Sequence, residues 1–134
     1  MLDMVVGVSS ARLQALQASG VPIPSIQNVR ALVDTGASGT CLDPVIFTAL
    51  GLQPTGTTPM LTPSTGITPI DADTYDVSIL IPAGTQQPLV LPNMAVSASQ
   101  LLLAQGFHAL LGRDILKQCI LHYNGSAGIY TLAY

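Results

Sequence analysis

The sequence predicts a mainly β protein with one or two short helices, and three observations carry that expectation. Apolar residues come in stretches of strand length, some unbroken and some alternating with polar neighbours. Breaks rich in proline, glycine and threonine separate them, with 10 Pro and 12 Gly among 134 residues. Helical spacing is confined to brief segments.

Taken in order, Met4 to Val8 reads as a first strand, and Arg12 to Ala18 as two helical turns closed by Gly20. Pro22 and Pro24 fix φ and remove donors, so residues 21–25 form a loop leading to a strand at Val29 to Val33. After an acidic turn at Asp34-Thr35-Gly36, Thr40-Cys41-Leu42 continues as strand. Asp43-Pro44 then supplies an N-cap and a first-turn proline for a helix over Val45 to Leu50, ended by Gly51.

Residues 53–70 suggest two strands joined by an exposed tip. Tyr75 to Ile81 alternates like a half-buried strand stopped at Pro82-Ala83-Gly84, and Leu89-Val90-Leu91 with Met94-Ala95-Val96 resumes the sheet. A single helical turn is expected at 101–104, a second buried strand at Ala109 to Leu111, and a helix at Ile115 to Cys119. Leu121 to Tyr123 and Ile129 to Leu132 close the chain as a hairpin turned by Asn124-Gly125.

Composition bounds the rest. A chain of 134 residues is read as one domain, 1–134, able to bury a real core. Only 8% of residues are charged and the net charge is −3, which is no nucleic-acid footprint. So little ionic surface favours self-association. No apolar run approaches the ~18 residues of a membrane span, and Met1-Leu2-Asp3-Met4 lacks a basic secretory start. No membrane partner is therefore expected, and a cytoplasmic setting is favoured. Cys41 and Cys119 sit in apolar patterns suited to buried thiols, and no Cys/His spacing suggests a metal site or another cofactor.

Ala31-Leu32-Val33-Asp34-Thr35-Gly36-Ala37-Ser38 places a carboxylate at the end of a buried strand, and it resembles the active-site loop of the aspartic proteases. Far downstream, Ala109-Leu110-Leu111-Gly112-Arg113-Asp114-Ile115-Leu116 is similar to the segment near the C-terminus of retroviral-type members. Together the motifs resemble a single-lobed retropepsin from end to end, with residues 10–28 as an insertion. The resemblance implies a closed-barrel-like fold in a two-fold symmetric homodimer. It also fits a faint echo of strand, glycine turn and helix between 31–51 and 109–119.

Peptide hydrolysis by carboxylates needs one ionised group to activate water and one protonated group to donate to the scissile carbonyl. Asp-Thr-Gly occurs once, so the resemblance implies an Asp34 dyad shared by two copies of the chain, titrating as a coupled pair in the acid range. Thr35 would lock the two turns together, Gly36 would offer its carbonyl to the substrate backbone, and Ala37 and Ser38 complete the loop. A flap is placed near residues 60–80, with Ser64, Thr65 and Gly66 at its tip. Gly112, Arg113 and Asp114 support the loop. The acid that pairs with the family's arginine is replaced here by Ser38 and Gly39, so Arg113 is left to find Asp114, Asp43, a backbone carbonyl or a partner-chain group.

Cys41, Ile46, Leu110 and Leu111 are expected to present apolar surface near the cleft. His108 is read as a loop residue near the dimer face and His122 as an outward strand residue. Tyr123, Tyr130 and Tyr134 cluster where retroviral relatives build their dimer sheet. Two other readings compete. The acidic turn is also similar to the phosphate loop of actin-type ATPases, although that fold needs two lobes and an α/β alternation absent here. A catalytically weak or inactive retropepsin-like dimer that only binds peptides would carry the same motifs.

Overall fold

The structure is a computed structural model and describes residues 1–60, 70–100 and 105–134. Its centre is a closed ring of six strands. Strand β1 (Leu2–Val8) pairs antiparallel with β2 (Gln27–Val33), which runs parallel to β7 (Ala109–Leu111). Next to β7 lies the short β3 (Cys41–Leu42), then β6 (Gln86–Ala98) and β5 (Ile70–Ala83), and β5 returns to β1. Among the described residues strand β4 (Gly56–Met60) pairs with β5 alone and stands outside the ring.

Alternation explains why the ring has an inside. Val77, Ile79 and Ile81 of β5 are buried, as are Met4 and Val6 of β1 and Val29 and Ala31 of β2. Leu111 of β7 and Leu42 of β3 are fully enclosed and complete the same core. The sheet expected in two pieces on either side of Pro92 is one strand, β6, with register shifts opposite β5 between Val77 and Ile79 and between Ile81 and Ala83. The skipped β6 positions include Pro92 and Pro88, which have no N–H to give the ladder, so each bulge sits where a donor is missing.

Helix α1 (Ser10–Ser19) fills the connection between β1 and β2. Ser9 caps it by accepting the Arg12 N–H, and Asn93 Oδ1, at the first bulge, accepts the Ala11 N–H. Gly20 ends it in the left-handed region at φ 67°. Helix α2 (Pro44–Ala49) begins as expected, with Asp43 accepting the Val45 N–H, and buries Ile46 and Phe47. Both placements match the sequence reading.

The third helix departs from it. Helix α3 covers Arg113–Leu116 and not 115–119. Its first turn starts on the Gly112 carbonyl, and the following Gln118 and Cys119 amides bond to Ile115 and Leu116, three residues back, so the helix tightens and stops. The final hairpin joins β8 (Ile120–Asn124) to β9 (Ile129–Ala133) through four residues and not through a two-residue Asn-Gly turn. Asn124 is still paired with Ile129, and its Oδ1 accepts the Ala127 N–H across the turn. The expected turn at 101–104 and the flap-tip residues Ser64, Thr65 and Gly66 lie outside the described residues. Among the described residues no helix is long and apolar enough to cross a membrane.

Candidate active site

Strands β2 and β7 end side by side, with Val33 opposite Leu111. Asp34 extends that ladder by one bond, its N–H donating to the Leu111 carbonyl at 3.0 Å. The chain then turns sharply. The Ala37 N–H donates to the Asp34 carbonyl at 3.2 Å, and the Gly36 N–H donates to Asp34 Oδ1 at 2.9 Å. A turn aspartate bonding its own backbone does as much anywhere. What distinguishes Asp34 is the second loop wrapped against it.

That second loop leaves β7 at Gly112 and crosses the first at contact distance. A Cβ on Gly112 would lie 2.5 Å from the Gly39 carbonyl carbon and 2.9 Å from the Thr40 nitrogen, so only glycine permits the crossing. The backbone φ there is −92°, open to any residue; the constraint is space. The Arg113 N–H donates to the Ala37 carbonyl at 2.9 Å, and Arg113 Nη1 donates to the Thr35 carbonyl at 2.9 Å. Arg113 thus finds a backbone carbonyl of the acidic turn itself.

Beneath the crossing lies a buried relay. Thr40 Oγ1 accepts the Gly112 N–H at 3.0 Å and donates to Asp114 Oδ1 at 2.7 Å, while Asp114 Oδ2 accepts the Thr40 N–H at 2.9 Å. Asp114 Oδ1 also accepts the Ile115 N–H, so the carboxylate opens α3 and ties the two loops together. Next to Thr40, burial pushes the Cys41 thiol up to about 11, with Asp34 and Asp114 adding to the rise. Both cysteines are free. Among the described residues no cluster of His, Cys, Asp and Glu is arranged to hold a metal.

Asp34 and Ala37 are half-buried, while Thr35, Gly36 and Ser38 are exposed along the rim. Of the apolar residues expected near a cleft, only Leu110 keeps accessible surface; Ile46 and Leu111 are turned into the core by α2 and β7, while Cys41, opposite Leu110 on β3, is buried on the outer face of the barrel. His108 lies just before β7, its N–H donating to Arg30 and its carbonyl accepting the Asp43 N–H, and His122 is exposed on β8. The sequence reading missed Thr40 as a member of the site and Gly39 as the floor of the crossing. A lone hydroxyl heading the apolar pair Cys41-Leu42 was the available signal.

Residues 19–115, which contain both loops, match the family described as Aspartyl protease. The chain belongs to the aspartyl protease family. No individual curated protein matches alongside it. In this aspartyl protease the matched span begins within α1, so β1 and the β8–β9 hairpin lie outside it.

Proposed function

We propose that the chain is an aspartic endopeptidase of the retropepsin type that works as a homodimer, one Asp34 from each copy forming the dyad. The observation supporting this is the crossed pair of loops: Asp34 sits at the end of the β2–β7 ladder and Arg113 bonds across to Thr35, leaving one acid per chain on the rim. Catalysis by a shared proton needs a second acid, which a second copy of the chain would supply.

Two carboxylates brought to ~3 Å cannot both ionise, so one keeps a proton. The ionised Asp34 takes a proton from water as its oxygen bonds to the scissile carbonyl carbon, and the protonated partner carboxyl donates to the carbonyl oxygen. Collapse of the tetrahedral intermediate breaks the C–N bond as the amide nitrogen takes the proton that Asp34 drew from water, and the partner carboxylate recovers a hydroxyl proton. The β4–β5 hairpin, in the 60–80 region assigned to a flap, would cover the bound peptide and exclude water.

Cleavage of a mixed peptide library tests the reading. Hydrolysis blocked by a statine-type compound, lost in Asp34→Asn and rising faster than linearly with protein concentration is the expected result. A chain that binds peptides without cutting them, or cuts as a monomer at all dilutions, overturns it.

A further inference from the structure

Strand β5 does two jobs. From Thr74 to Ala83 it is part of the ring, paired with β6, whereas, among the described residues, 70–73 pair only with β4. The arm formed by β4 and the start of β5 therefore leaves the barrel at Thr74–Tyr75. The shielded side of the strand changes there as well: Ala72 is buried and Thr74 half-buried in the arm, but Tyr75, Val77, Ile79 and Ile81 face the core beyond it.

At this junction Tyr75 stacks on Phe47 of α2, ring centroids 3.8 Å apart and planes within 6°. Phe47 is almost fully buried and belongs to the central core, so one ring of the pair is packed on the barrel side. The arm's other strand is held one step away, where the Thr55 N–H donates to the Thr74 carbonyl at 2.7 Å. Helix α2 follows directly from β3 and the Thr40 relay, so the stack sits on a continuous path from the acidic loops.

We propose that the Phe47–Tyr75 stack is a positioning pair that fixes how the β4–β5 arm leaves the barrel, and so sets the height of the arm over the bound peptide. This rests on the hydrolase reading above for its functional half only. An aromatic pair of this kind shifts a local equilibrium by roughly two- to tenfold.

Amide hydrogen exchange and peptide cleavage, measured together on the full chain, test it. In Tyr75→Leu, exchange at 56–60 and 70–74 is expected to rise by roughly two- to tenfold, while 2–8 and 27–33 stay unchanged. KM rises by a similar factor with kcat little altered, and Tyr75→Phe, which keeps the ring, behaves as the parent. Phe47→Leu reproduces the effect if it folds, and Tyr75→Leu decides alone if it does not. Unchanged arm exchange in Tyr75→Leu, or equal loosening in Tyr75→Phe, overturns the proposal. Arm loosening in a chain that cuts no peptide supports the anchor and removes the hydrolase reading instead.

Discussion

Thr40 and Asp114, 74 residues apart, meet through two hydrogen bonds, the Thr40 hydroxyl donating to one carboxylate oxygen at 2.7 Å and its backbone N–H to the other at 2.9 Å. The same hydroxyl accepts the Gly112 N–H, so one buried oxygen joins the two loops at two points. Thr40→Val keeps the volume and removes that oxygen, leaving the buried Gly112 N–H unpaired and Asp114 Oδ1 with the Ile115 N–H alone. A loss of about 2–3 kcal/mol is expected in urea unfolding, with Thr40→Ser costing about 1 kcal/mol.

Gly112→Ala tests the crossing above that relay. The added methyl would lie within 3 Å of three backbone atoms of Gly39 and Thr40, none of which can swing aside as a side chain can. Overpacking against fixed backbone costs about 3 kcal/mol or more here, so the variant should unfold at much lower urea or fail to fold. Gly39→Ala is the control, since its nearest neighbour is Asp114 Oδ2 at 3.7 Å and an ordinary contact results.

Arg113 separates loop geometry from stability. Its guanidinium is exposed and makes one bond, to the Thr35 carbonyl, so Arg113→Gln should lower stability by only about 1 kcal/mol. Peptide cleavage should fall further, roughly tenfold in kcat/KM, because the freed turn no longer holds Asp34 in position. Arg113→Lys is expected to restore it only in part, since its side chain ends one bond short of the reach of Nη1 to the Thr35 carbonyl. Equal losses of stability and activity would place Arg113 in the fold alone.

How much of this was readable beforehand depended on whether a signal was local. Asp43-Pro44, Gly20 and the triplets ending at Val33 and Leu111 announce themselves within a few residues, and each lies where expected. The partner of Arg113 did not, because a backbone carbonyl carries no side-chain identity to search for. Likewise, the burial of Cys41 follows from β3 lying between β6 and β7, a pairing no local pattern encodes. The continuity of β6 was hidden by Pro88 and Pro92, which read as breaks until a bulge absorbs them.

The two thiols should report on burial differently. Cys41 is buried with its acidity lowered to about 11 from an ordinary 9.0, whereas Cys119 is half-buried. A thiol reagent at pH 8 should label Cys119 first and Cys41 only as fast as the chain opens. Since the folded state holds the Cys41 proton more tightly than the unfolded state, stability is level below pH 9 and falls as pH rises toward 11. Tyr130 and Tyr134 are raised as well and bend the curve the same way, so the Cys41 share is the part of the alkaline slope missing in Cys41→Ala.

The C-terminal hairpin tests the proposed homodimer. Among the described residues strands β8 and β9 pair only with each other, and they expose Ile120, Tyr123 and Ile129 at 73, 71 and 61% of their surface. A two-stranded hairpin is marginal alone, and this one is fastened at its end by Tyr134, whose hydroxyl lies 3.0 Å from the Ile81 carbonyl and 2.9 Å from that of Pro82. If a second copy covers this surface, Ile120→Asp with Ile129→Asp should halve the mass in solution and abolish cleavage at low concentration. Stability measured on the monomer should change little, because both side chains are already in water. A double variant that stays dimeric and active would put the contact elsewhere on the barrel.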